Sequence, residues 1–222
     1  MKIKIKWFED KIDIINGKLY TLIIENRDVL IELYECLNNE FFPKNVILPF
    51  KESELLNVDD TCFYINNLFD LNLNTKKNIN ALYKKLKGYY YSSLIEDFNE
   101  IKEKCEKIVE SISFDFDIEL EAGSFIKIED LFKFMNITFK EDYENFKEKF
   151  IKYLRILNEL NGYKVFFINS FHAFFSNEDI ETIIKEVGYY DISLINIENI
   201  QYFEKLDNEF FKIIDKDYCQ IE

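Results

Sequence analysis

The chain is 222 residues long, 48% apolar and 17% aromatic, which is enough material for a large buried core, while five glycines and two prolines leave little for flexible linkers. Acidic side chains outnumber basic ones 42 to 28, and the formal net charge of −14 sets the chain against nucleic acid and anionic membranes unless its lysines are segregated. No apolar run approaches the ~20 residues of a membrane span, and the opening MKIKIKWFEDK lacks the apolar block of a secretion signal.

From the N-terminus, Lys2, Lys4 and Lys6 alternate with Ile3, Ile5 and Trp7, which predicts a strand with one solvated and one buried face. Asn16-Gly17 separates IDII from KLYTLII and reads as a two-residue hairpin turn. Gly17-Lys18 invites comparison with a phosphate-binding loop, but the second glycine and the hydroxyl residue that motif needs are replaced by Ile12 and Leu19. A helix is predicted from Asn26 to about Leu37, with Val29, Leu30, Leu33, Tyr34 and Leu37 on one face. Short strands follow at Asn45–Phe50 and Thr61–Ile65. Cys36, Cys62, Cys105 and Cys219 form no CxxC pair and sit in apolar stretches, so buried free thiols in a cytoplasmic protein are expected.

Between Leu71 and Ile95 there are five lysines, Lys76, Lys77, Lys84, Lys85 and Lys87, and no acidic residue. Ile79, Leu82, Tyr83 and Leu86 mark the apolar side of a helix here, with the lysines largely off it. Gly88 and Tyr89-Tyr90-Tyr91-Ser92 interrupt the pattern, and Ser93 to Glu96 reads as a capping box opening a second helix with the stripe Ile95, Phe98, Ile101, Cys105, Ile108, Ile112. The plain account of the lysines is a solvated helix face. The sharper account is a phosphate-contacting stripe, because lysines supply affinity for nucleic acid without reading bases.

Phe114 to Glu121, FDFDIELE, alternates strictly and predicts a strand with Asp115, Asp117, Glu119 and Glu121 on one face. Four carboxylates on such a face, with Glu129 and Asp130 following at the start of a short helix, suit a hard cation such as Ca²⁺. An exposed edge strand protected by charge explains the same pattern without a cation. Glu141 to Asn161 predicts a further amphipathic helix.

Gly162 to Ile197 then predicts strand, helix, strand: an apolar run at Lys164–Ile168, a helix capped at Ser176 or Asn177 and stopped by Gly188, and a second apolar run at Asp191–Ile197. That is a right-handed crossover between parallel strands in a sheet covered on both faces, so the core is expected to be α/β. Asn169 and Ser170 follow the first strand, where α/β sheets bind ligands, but the phosphate loop expected upstream is missing. His172, the only histidine, stands among Phe171, Phe174 and Phe175 and reads as a packed loop residue rather than a catalytic base. No serine has a nucleophile-elbow context.

Taken in order, VFFINSFHAFFSNEDI, DISLINIENI, FEKLDNEFFKIIDKDY, IIENRDVLIELYECLNN and FDFDIELE…IEDLFKFMNITF resemble the CRISPR-associated Csn-two family, the accessory protein of type II-A spacer adaptation. The likeness spans nearly the whole chain and rests on the order of these pieces. It implies an α/β head with a mixed sheet resembling a degenerate nucleotidase (P-loop-like) fold, built from residues 1–73 and 137–222. An inserted helical leg with an acidic hinge, residues 74–136, completes the implied domain plan. Also implied are a cytoplasmic homotetrameric ring stabilised by Ca²⁺, binding of double-stranded DNA through free ends without sequence preference, and no catalytic activity. Partners in that picture are DNA and the adaptation integrase and effector nuclease of the same CRISPR system, with no membrane. Matching stretch to stretch assigns cation ligands to Glu119, Glu121 and Asp130, with Asp117 and Glu129 as neighbours, and DNA contacts to Lys76, Lys77, Lys84, Lys85 and Lys87. Ala122, Gly123 and Ser124 are less acidic than the family pattern. Two other readings compete: a nucleotide-binding hydrolase with an atypical phosphate loop at Asn169 and Ser170, and a structural Ca²⁺-dependent oligomer that recruits proteins only.

Overall fold

The computed structural model describes residues 1–38, 45–90, 93–116, 119–120 and 127–221. The chain separates into two compact units, one formed by Met1–Asn72 with Asp142–Glu222 and the other by Leu73–Glu141.

The first unit is built on two sheets. In chain order the larger one uses β3 (Leu19–Ile24), β6 (Cys62–Ile65), β7 (Val165–Asn169), β8 (Ser193–Glu198), β9 (Glu209–Ile214) and β10 (Gln220–Ile221). Their spatial order is β10-β9-β3-β8-β7-β6, parallel throughout except for β10. Every residue of β3 and β8 is buried, as expected where both faces of a parallel sheet are covered. One face packs on Val29 and Leu33 of α1 (Arg27–Leu37) and on Ile3 and Ile5 of β1 (Lys2–Ile5). The other side of the core is supplied by α6 (Phe146–Asn161) and α8 (Asn177–Gly188), whose Phe150, Ile180, Ile183 and Ile184 are almost wholly enclosed. The smaller sheet is antiparallel, in the order β2 (Ile12–Asp13), β1, β4 (Ile47–Lys51), β5 (Glu54–Leu55).

The predicted crossover forms, with β7 and β8 parallel and α8 between them. Ser176 caps α8 by accepting the Asp179 N–H, while Glu178 and Asp179 stand at the positive end of the helix dipole. Between β7 and α8 a short helix, α7 (Phe171–Phe174), holds His172. α6 begins at Phe146 rather than Glu141, because Asn145 accepts the Glu148 N–H and sets the start, and Gly162 ends it at φ 82°.

Asn16-Gly17 does not make a hairpin. The strand before it pairs with β1 (Ile3 opposite Ile12), whereas β3 enters the large sheet between β8 and β9, so the turn passes the chain from one sheet to the other. Gly17 keeps its left-handed φ of 73°, but the turn docks on the end of α8: Asn16 Nδ2 donates to Asp191 Oδ1 at 2.7 Å, and a Cβ on Gly188 would fall 2.9 Å from Gly17 Cα. A tertiary backbone contact uses the two residues that a hairpin would have used.

The second unit is helical: α3 (Lys76–Tyr90), α4 (Ile95–Phe116) and α5 (Ile128–Phe134). Its core is small, with Tyr83, Ile128 and Phe132 buried and Ile79, Leu82, Leu86, Phe98 and Ile137 packed around them. α3 runs through Gly88 to Tyr90, two residues beyond the predicted interruption. The predicted acidic strand is overturned at its first half, since residues 114–116 continue α4. A helix already nucleated extends at little cost, and no Gly or Pro stops α4 here, whereas a strand needs a partner and none exists among the described residues of this unit. Asp117 and Glu121 lie outside the described residues, as does Ile118; Glu119 and Leu120 are exposed and in no regular element.

All four cysteines are free, but only Cys62 is buried; Cys36 is half-buried and Cys105 and Cys219 are exposed. Cys105 stands on α4 between Ile101 and Ile108, and that stripe is itself exposed. Among the described residues, no helix is long and apolar enough to cross a membrane.

Candidate nucleic-acid interface

The lysine stretch folds as α3. Thr75 starts the helix, its hydroxyl accepting the Asn78 N–H at 3.2 Å. Tyr83 orients it by donating its hydroxyl to the Ile137 carbonyl at 3.1 Å while its ring lies 5.7 Å from Phe132. The two ends of the unit are tied together, Asn74 Nδ2 donating to the Phe139 carbonyl and Phe139 N–H returning to Asn74 Oδ1 at 2.8 Å.

At 100° per residue, Lys76, Lys77, Lys84 and Lys87 fall within a sector of about 100°, beside the apolar sector of Ile79, Leu82, Tyr83 and Leu86, and Lys85 lies about 80° beyond them. Lys76, Lys77 and Lys84 are exposed; Lys85 and Lys87 are half-buried. Two of the lysines occupy the first turn, which holds no acidic residue. Cations at the positive end of a helix dipole oppose it by roughly a few tenths of a kcal/mol each. Helix stability therefore does not explain why lysine stands at Lys76 and Lys77.

The structure joins two residues that the sequence places in different sites. Lys87 Nζ lies 2.6 Å from Glu129 Oε1, and this contact holds the Glu129 carboxyl below its ordinary range. Asp130 is held low by Lys133, 3.0 Å away, and also accepts the Lys127 N–H at the start of α5. Both carboxylates thus have local structural partners. Among the described residues no group of three or more His, Cys, Asp or Glu side chains is arranged to hold a metal ion, so Glu119, Glu129 and Asp130 by themselves do not fit one. The remaining two candidate ligands, Asp117 and Glu121, are outside the described residues.

Among the described residues, the N-termini of α1 and α8 beside the large sheet are already capped by side chains. At the N-terminus of α1, which follows β3, Asn26 Oδ1 takes up the N–H groups of Asp28 and Val29, both at 3.1 Å. The α8 terminus is filled by Ser176 and faced by carboxylates, with Lys147 bound to Asp179 at 2.8 Å. Asn169 donates to the Tyr64 hydroxyl, and Ser170 stands in the left-handed region at φ 50°.

Periodicity gives no sign of a buried polar cluster across β3, β8 and β9. His172 Nε2 lies 2.8 Å from Glu209 Oε1, its ring stacked on Phe203 at 3.6 Å, and Thr21 donates to the same carboxylate. Asn196 joins Glu198 (3.0 Å) to the Phe171 N–H, and Leu206 N–H donates to Glu209 Oε2 at 3.2 Å. His172 is the packed residue that the sequence suggests, in a short helix instead of a loop. Its environment is one of internally satisfied carboxylates that pin residues 203–209 to the sheet.

Burial raises the Glu198 carboxyl above its ordinary value, against the opposing bond from Asn196. A carboxyl raised on folding favours the protonated native state, so its effect is harmless below the ordinary value of about 4.3 and turns destabilising as pH rises through the folded value. Glu198→Gln, which keeps an acceptor for Asn196, is expected to match the parent near pH 4 and to melt higher than it near pH 8. A thermal-unfolding series across that range checks the sign; a variant that is less stable at the alkaline end would mean the ionised carboxylate is required.

A family model described as CRISPR-associated protein (Cas_Csn2) matches residues 43–218, well over half of the chain. No curated protein matches it.

Proposed function

The chain belongs to the CRISPR-associated Csn2 family, and from that premise we propose that it binds double-stranded DNA through free ends, as a non-catalytic homotetrameric accessory to spacer acquisition. The observation that carries this reading is the exposed lysine sector of α3, Lys76, Lys77 and Lys84, in a chain of net charge −14. Lysines on one helix face contact phosphates without reading sequence. Four copies would be strongly acidic as a whole, but screening over ~8 Å confines that repulsion to the neighbourhood of the acidic side chains. Assembly is supported by α4, whose Ile101, Ile108 and Ile112 are exposed and spaced along the helix. The integrase and effector nuclease of the same system are the protein partners this reading calls for.

A calcium requirement belongs to the same proposal and rests on the all-oxygen chemistry of Asp117, Glu119, Glu121, Glu129 and Asp130. A cation there would compete with Lys87 for Glu129 and with Lys133 for Asp130.

Gel-shift titration of a linear duplex tests the reading. Affinity is expected to fall at least about 10-fold between roughly 50 and 200 mM salt, with closed-circular DNA competing poorly and chelator weakening retention. A salt-independent complex would remove the phosphate mechanism. Equal competition by closed circles would remove the preference for ends, and equal retention with chelator would remove calcium.

A further inference from the structure

A cavity of about 310 Å³ opens in the first unit beside β2, β3 and β9. Its floor is apolar, formed by the buried side chains of Ile12, Tyr20 and Leu22, and Phe210 stacks on Tyr20 at 5.4 Å. Three lysines, Lys11, Lys205 and Lys212, also line it. The ammonium of Lys11 lies 3.8 Å from the centre of the Phe50 ring and that of Lys205 5.4 Å from the centre of Phe211. Neither forms an ion pair among the described residues. Among the described residues Asp13 is the one carboxylate in the cavity lining, and it is already matched by Lys2 at 3.0 Å.

Phe50 stands outside the lining, so the cavity wall itself pairs one ammonium, that of Lys205, with an aromatic ring beside an apolar floor. Lysines and aromatic rings so placed select a ligand that is anionic at one end and planar at the other. The volume is at the lower end of the ~300–1,000 Å³ typical of small-ligand pockets, room for one small molecule and far too little for a duplex. In a chain with fourteen more acidic than basic side chains, three lysines lining one cavity run against the average. We propose that this cavity binds a single nucleoside phosphate, its base against the aromatic wall at Phe210 and its phosphate between Lys11 and Lys205. Either a free nucleotide or the unpaired terminal nucleotide of a strand supplies that chemistry. The inference is independent of the α3 reading, since it uses different residues in a different unit.

Calorimetric titration of the full chain with dAMP, inorganic phosphate and laurate tests it, with amide chemical-shift mapping alongside. Saturable dAMP binding is expected, at least 10-fold tighter than phosphate or laurate, with shifts concentrated at residues 11–15 and 205–212. Lys11→Ala with Lys205→Ala should weaken dAMP at least 10-fold, whereas Lys76→Ala with Lys84→Ala should leave it unchanged. Comparing a blunt hairpin with one bearing a single-nucleotide overhang separates the sources: an overhang that displaces dAMP points to strand ends, and one that does not points to the free nucleotide. Absence of dAMP binding, equal binding of laurate, or no weakening in the Lys11/Lys205 double variant would each overturn the proposal.

Discussion

Replacing Lys76, Lys77 and Lys84 together by alanine is expected to weaken linear-duplex binding by about 10- to 100-fold and to lower the slope of log affinity against log salt by about 3, close to one unit for each phosphate that no longer has a lysine beside it. The same variant should fold as well as the parent or slightly better. The three side chains are exposed, and two oppose the dipole at the start of α3, where alanine is also the better helix former. Unchanged helicity with weakened binding would separate phosphate recognition from structure. Lys87 makes a poorer test, because removing it also strips Glu129 of its partner. If the triple variant binds DNA with the parent's affinity and salt slope, the α3 face is only solvated and the interface lies elsewhere.

The second large effect is on stability. Phe150→Ala should cost about 3–5 kcal/mol, a large share of the roughly 5–15 kcal/mol that holds a domain folded. Phe150 is completely buried on α6 and contacts Phe171 at 5.6 Å and Phe175 at 5.3 Å, and those two rings stand 4.9 Å apart. This cluster fastens the turn after β7 to α6, so its removal should also loosen His172 and the polar cluster beneath it. Urea denaturation followed by near-ultraviolet circular dichroism reads the change. Ile108→Ala, on the exposed side of α4, should shift the monomer's stability by no more than about 0.5 kcal/mol. Equal effects from the two substitutions would contradict the assignment of the core.

Much of the α/β core is legible because its signals are local. Ser176 with Asp179, Asn26 with Val29, and Gly162 each mark a helix end within four residues of sequence, and the apolar runs at β7 and β8 have the length and branching of buried strands. β9 is legible only as part of a closing segment, since Phe210 and Phe211 are adjacent and blur any alternation. At FDFDIELE the period of two is clear, yet residues 114–116 continue α4, because a short alternating run does not outweigh the helix that feeds into it. The lysine cluster and its place off the apolar side are visible in the sequence, and the helical period already sets Lys85 apart; that Lys87 turns to Glu129 needs the folded unit.

By itself the sequence determined the helices α1 and α8 and the buried strands β7 and β8, that the sheet core is α/β, and that basic charge is concentrated between Leu71 and Ile95, because capping, periodicity and charge density act over a few residues. Tertiary structure alone decided that Asn16-Gly17 links two sheets, that His172 meets Glu209 across 37 residues of chain, and that Lys11 and Lys205 share one cavity. Those outcomes depend on which strands pair and which backbones can approach, as at Gly17 and Gly188, and such pairings are set by the packing of the whole core.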